Sequence, residues 1–162
     1  MTLSKFFVFA LFSFSFFMIG CNGGTKTPEV TKEEKPAQSN LSNDVQLHAN
    51  DSMKYDKIEI HVKANEKIRL TLTNIGTKPK EVMGHNFVLL KEGTDLASFA
   101  GQAVSAAPDY IPANNPAIIA HTKLLGAGES DTIEFTVPPG EYTYICSFPG
   151  HYLSMTGILT AE

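Results

Sequence analysis

The chain has 162 residues, 43% hydrophobic and 19% charged, with a formal net charge of −4. That is enough apolar material for one packed domain and excludes wholesale disorder. The acidic balance excludes the concentrated basic face of a nucleic-acid binder. The two widely separated cysteines, Cys21 and Cys146, exclude a disulfide framework.

The N-terminus is the most biased segment. Seven of the eleven Phe lie in the first twenty residues. After the lone cation Lys5, Phe6 to Ile19 is apolar apart from Ser13 and Ser15. A bilayer-spanning helix needs about 20 apolar residues, so this shorter run reads as the core of an export signal. It ends at Met18-Ile19-Gly20-Cys21, which resembles a bacterial lipobox. The resemblance implies removal of residues 1–20 and acylation of Cys21. The product would be an exported lipoprotein, anchored in a membrane and facing the periplasm or the cell exterior. Loss of Lys5 from the 13 Lys and Arg leaves 12 cations against 17 anions, a charge of −5. Across 22–44 only Val30, Ala37 and Leu41 are apolar. Such a segment cannot bury enough surface to offset its ordering entropy. Residues 21–44 are therefore expected to be a lipidated Cys and a flexible tether, with coil dimensions of about 25–30 Å, carrying a domain over 45–162.

From Val45 the apolar residues recur with a period of two, as in half-buried strands. Val45, Leu47 and Ala49 alternate with polar residues, as do Ile58, Ile60 and Val62, then Ile68, Leu70 and Leu72, and later Ile133, Phe135 and Val137. Turn signals separate these runs at Ala64-Asn65-Glu66, Asn74-Ile75-Gly76, Gly126-Ala127-Gly128 and Pro138-Pro139-Gly140. Short strands at this spacing predict an all-β sandwich. Leu96, Phe99, Ala100, Ala103 and Val104 instead recur at helical spacing, with Thr94 or Asp95 as N-cap. They predict one short helix at about 95–105, inserted before a long loop over 107–118.

The chemistry concentrates in two places. Cys146, His151 and Met155 share one loop between the strand-like runs Tyr142–Ile145 and Gly157–Thr160. His85 lies upstream, in Val82-Met83-Gly84-His85-Asn86, at the start of the apolar run Phe87–Leu90. A sandwich can bring that strand start and that loop to the same end. Two His, one Cys and a distant Met form the ligand set of a blue-copper site. Soft thiolate suits Cu(I), imidazole suits Cu(II), and a weak axial thioether adjusts the balance. A scaffold that fixes such ligands lets an electron arrive with little movement.

The runs VMGHNFVLL, IAHTKLLGAGESD and CSFPGHYLSMTGILT resemble the azurin family of blue copper proteins. Four residues separate Cys146 from His151 and three separate His151 from Met155, the azurin spacing. The resemblance covers about 45–162 and implies a cupredoxin-like Greek-key β-sandwich that transfers electrons and is not an enzyme. It implies one copper held by His85, Cys146 and His151, an axial Met155 and a weak contact from the Gly84 carbonyl. Asn86 would hydrogen-bond the ligand loop, and the amides of Asn86 and Phe148 would point at the sulfur. Electrons would pass the edge of His151 through an apolar patch of Met83, Pro149 and Leu153. The partners would be redox proteins such as c-type cytochromes or copper or haem reductases.

The chain also departs from the family pattern. Asn43 and Glu66 stand where azurins commonly carry a disulfide, and Phe87 replaces a buried Trp. Asn74 stands where many members have a titrating His. His48, His61 and His121 are expected at the surface, and Met53 is expected to be ordinary packing. Three other readings share some of these residues. A thiol enzyme leaves His85 and Met155 unexplained. A structural zinc site uses the same Cys and His. A copper-delivery or storage lipoprotein would favour a more Met- and Cys-rich chain.

Overall fold

The computed structural model describes residues 41–162. The expected signal, the acylated Cys21 and the tether up to residue 40 lie outside the described residues.

Among the described residues, nine strands and two α-helices follow in chain order: β1 Asp44–Asn50, β2 Lys54–Tyr55, β3 Glu59–Val62, β4 Ile68–Asn74, α1 Lys80–Met83, β5 Val88–Leu90, α2 Leu96–Val104, β6 Ile118–His121, β7 Ser130–Phe135, β8 Gly140–Ile145 and β9 Thr156–Ala161. One sheet has the order β2-β1-β4-β7, the other β3-β9-β8-β5-β6. β1 lies parallel to β4, and β3 parallel to β9. These pairings require the chain to cross repeatedly between the sheets, as in a Greek-key sandwich.

The period of two places the core. Val45, Leu47 and Ala49 on β1 face inward beside Ile68, Leu70 and Leu72 on β4, with Val45 opposite Leu70 and Leu47 opposite Leu72. Leu159 and Tyr144 meet them from the second sheet. Each such buried side chain contributes about 1.5–3 kcal/mol.

β3 departs from the expected alternation. Ile60 and Val62 are buried, but Ile58 is 65% exposed, because β3 begins one residue later. Tyr144 reaches to this end of the core, donates its hydroxyl to the Lys57 carbonyl (2.7 Å) and fills the space beside Gly157.

α2 lies where helical spacing predicts a helix. Asp95 is its cap, accepting from Ser98 N at 2.6 Å. Phe99 and Ala103 pack on Val88, Leu90 and Ile145. The helix covers the outer face of β5, so all three β5 residues are buried.

The fold begins slightly before residue 45. Asp44 opens β1, and Asn43 clasps the turn between β3 and β4. The Asn43 carboxamide accepts from Lys63 N (2.7 Å) and donates to the carbonyls of Lys63 (3.1 Å) and Lys67 (3.3 Å). A polar clasp thus closes this turn. Among the described residues, no helix is long and apolar enough to cross a membrane.

Candidate metal centre

One end of the sandwich gathers the turn after β1, the end of β4, the start of β5 and the loop from β8 to β9. α1 leads into Gly84, where a Cβ would lie 2.6 Å from the Lys80 carbonyl and 3.0 Å from the Leu124 side chain. Only glycine lets the chain pass this close. His85 is then locked to Leu125 by two backbone bonds, N to O at 3.0 Å and O to N at 2.7 Å. Asn74, fully buried, donates to the same Leu125 carbonyl (3.2 Å) and accepts from Gly76 N (2.9 Å). A carboxamide does not titrate, so this support is present at every pH.

Cys146 follows β8, and its N–H donates to the Met155 carbonyl (3.0 Å). Gly150 takes a left-handed φ of 80°, which favours glycine. It turns the chain into a short 3-10 helix over His151–Leu153. The His151 carbonyl accepts from Met155 N at 2.8 Å. The loop is closed by its own backbone, with Cys146, His151 and Met155 all buried.

Cys146 Sγ lies 3.9 Å from His85 Nδ1 and 3.6 Å from His151 Nδ1. The three ligand atoms fall within 4.8 Å of one another, and among the described residues they form the one such cluster of His, Cys, Asp or Glu. Bond lengths from zinc sites, about 2.0 Å to nitrogen and 2.3 Å to sulfur, opened at about 120°, place the donors about 3.7 Å apart. The observed separations fit a first-row transition metal at the centre of the triangle. Met155 is fully buried beside Cys146, and the Gly84 carbonyl lies 4.0 Å from the sulfur.

Burial governs the protonation states. It pushes the Cys146 thiol up to about 12, against the opposing pull of the Asn86 and Phe148 amides, which hydrogen-bond the sulfur. Burial pulls His151 down to about 4, helped by repulsion from His85. His85 is lowered by the same desolvation, which the Asn50 carbonyl and the Asp51 carboxylate partly offset. Its Nε2 is buried without a hydrogen bond of good geometry. Near neutral pH the pocket holds two neutral imidazoles and one neutral thiol. Imidazole is then ready to coordinate, while the thiol must release its proton to a metal.

Around this triangle, Asn86 donates from Nδ2 to Ser147 Oγ (2.9 Å) and accepts from Ser147 N (2.8 Å). Tyr55, which the sequence did not single out, donates to the Asn86 carbonyl from the core side. Thr122 accepts from Phe87 N at 3.0 Å. Ser147 directly follows Cys146 in the quoted loop. Thr122 lies in the run IAHTKLLGAGESD, just after β6, whereas Tyr55 arrives from β2 and carries no local signal.

At the surface, Leu153 is 78% exposed and Pro149 and Gly150 are exposed. Met83 is half-buried, and Phe148 turns inward over the His151 ring, centroids 4.6 Å apart. His151 itself is only 3% exposed, a narrow opening. Val82 on α1 and the loop residues Ile75 and Met53 are also exposed apolar residues. Met53 is therefore not ordinary packing: it occupies a turn with a φ of 53° and projects outward. His61 and His121 are exposed, and His48 is half-exposed in a pair with Asp56 (2.7 Å).

Residues 42–162 match the family described as copper binding proteins, plastocyanin/azurin family. The azurin of Achromobacter denitrificans is 42% identical over 120 residues, covering 70% of this chain and 80% of that protein. The azurin of Bordetella pertussis is 38% identical over 122 residues, covering 71% and 81%. Among solved structures, auracyanin from Roseiflexus castenholzii superposes with a TM-score of 0.69 at 37% identity, over 75% of this chain and 98% of that one. An azurin from Methylomonas sp. strain J gives 0.68 at 29% identity, over 76% and 99%. With this fold, this cluster of donors and these relatives, the chain belongs to the plastocyanin/azurin family of copper binding proteins.

Proposed function

We infer that the domain is an electron carrier with one type 1 copper, held by His85, Cys146 and His151. Met155 would offer a weak thioether contact and the Gly84 carbonyl a weaker one. The observation that carries this reading is the convergence of one thiol and two Nδ1 atoms at trigonal spacing in a buried, backbone-locked pocket. When bound, copper supplies one-electron chemistry between Cu(II) and Cu(I). The protein's part is to hold the donors still. Leu125 fixes His85, and the Met155 backbone ties Cys146 to His151, so little has to move between oxidation states. The Asn86 and Phe148 amides stabilise charge on the sulfur, and the surrounding apolar side chains exclude water.

Electrons pass the edge of His151, the ligand that reaches the surface. The uncharged rim of Met83, Pro149 and Leu153 suits a small, transient contact, below about 1,200 Å² in total. Partners of this kind are redox proteins such as c-type cytochromes or copper or haem reductases. Acylation of Cys21 after export would anchor the domain to a membrane through the segment up to residue 44.

The copper-loaded protein is expected to show an intense visible band when oxidised and to lose it on reduction. A colourless protein with bound copper contradicts the reading. Met83→Lys and Leu153→Lys should each slow self-exchange while leaving that band in place. If neither slows exchange, the port lies on another face. Mass spectrometry of the membrane fraction tests the anchor: an unmodified Cys21 excludes it.

A further inference from the structure

The proposed ligand loop touches an element outside the ligand motifs. Tyr110 lies in the long loop after α2 and has a φ of 57°, left-handed backbone that a bulky residue seldom adopts. Such a conformation is strained and persists only where the surroundings over-determine it. Three contacts do so here. The Tyr110 N–H donates to the Ala106 carbonyl (2.9 Å), and its own carbonyl accepts from Ser147 Oγ (2.7 Å). Its ring meets Phe148 edge-on, centroids 5.1 Å apart at 71°.

The second and third contacts lead to the metal centre. Ser147 Oγ also accepts from Asn86 Nδ2, so the Tyr110 carbonyl completes a chain from Asn86 through Ser147. Phe148 touches the centre in three ways: its amide bonds the Cys146 sulfur, its carbonyl accepts from His151 N (3.0 Å), and its ring lies on the His151 ring. A displaced Phe148 therefore moves donor and port together. Tyr110 is a second aromatic ring packed against Phe148.

We propose that Tyr110 is a positioning residue for electron transfer: its strained backbone and its ring clamp Ser147 and Phe148, and through them set the orientation of His151. The proposal rests on the copper reading above and adds to it that the 107–118 loop, beyond connecting α2 to β6, forms the outer jaw of the metal centre.

The test compares Tyr110→Phe, which keeps the ring, with Tyr110→Asn, which tolerates left-handed backbone and keeps the carbonyl but removes the ring. In the metal-free protein, the His151 imidazole signals in NMR should stay sharp in Tyr110→Phe and broaden or split in Tyr110→Asn. In the copper-loaded protein, self-exchange should stay within twofold of wild type for Tyr110→Phe and fall at least fivefold for Tyr110→Asn. If Tyr110→Asn matches Tyr110→Phe in the His151 signals, even with a lower Tm, Tyr110 is a packing residue and the proposal fails. If Tyr110→Asn does not fold, Tyr110→Gly, which takes the same backbone without strain, is read by the same criteria. A wild-type protein without the visible copper band overturns the copper reading, while the metal-free His151 signals still decide the role of Tyr110.

Discussion

Along the sandwich the buried side chains change character. Through the body they are apolar, with Val45, Leu47, Ile68, Leu70, Leu72, Val62 and Leu159 alternating inward from their strands. At the copper end Asn74, His85, Asn86, Thr122, Ser147 and His151 are buried, and among the described residues these six are the buried polar or charged residues. An unpartnered buried polar group costs about 1–3 kcal/mol, so each needs a partner. The Asn86–Ser147 pair and the bonds from Asn74 to Leu125 and from Phe87 to Thr122 supply them. His85 Nε2 is the exception, on a residue proposed to hold copper through its other nitrogen. The body needs only volume and parity. The copper end needs particular atoms at particular distances.

Breaking the body should have the largest effect on stability and the smallest on the metal centre. Leu70→Ala removes a fully buried side chain between the sheets and should cost about 2–5 kcal/mol. Urea unfolding measures that loss. Below the unfolding transition, the visible band of the copper-loaded variant should match wild type.

The body was legible in the sequence because parity is a local property. β1 and β4 can be read from Val45, Leu47, Ile68 and Leu70 alone, and α2 from the spacing of Phe99 and Ala103. Ile58 was misread because parity does not say where a strand ends; the long reach of Tyr144 from β8 decided that. The metal centre was legible by another route, the chemistry and spacing of Cys146, His151 and Met155. The contacts around it were not. Tyr55 reaches the Asn86 carbonyl across 31 positions, Ser147 meets the Tyr110 carbonyl across 37, and Met53 is turned outward by its backbone.

Between pH 7 and 4, acid should act chiefly on the buried imidazoles of the copper end. His151 titrates near 4 in the fold and near 6.5 when unfolded. Below about pH 6.5 the unfolded chain binds the proton first, so stability falls as pH drops toward 4 and then levels. The loss from His151 is about 3 kcal/mol at most, and His85 adds in the same direction. Unfolding of the metal-free protein between pH 4 and 7 measures the slope. Copper should steepen it, because binding also makes the Cys146 thiol release its proton and so stabilises the fold less as pH drops; an equal slope with copper bound would place the metal elsewhere.

A smaller loss of stability is expected from Asn86→Ala. It strips the acceptor from Ser147 N and the donor from Ser147 Oγ, at about 1–3 kcal/mol. Unlike Leu70→Ala, it should also weaken copper binding, because it frees the loop that carries Cys146. Competitive copper titration separates the two variants. Equal affinities would mean that the ligand loop does not depend on its polar partners.

The most direct test of the account is a copper titration of wild type and Cys146→Ser, followed in the visible. The wild-type protein should develop one intense thiolate-to-copper band that saturates at one copper per chain and bleaches on reduction. Cys146→Ser, which keeps His85 and His151 but offers no sulfur at that position, should develop none. A serine variant that keeps the band would show that Cys146 is not the thiolate ligand, and the proposed centre would be wrong.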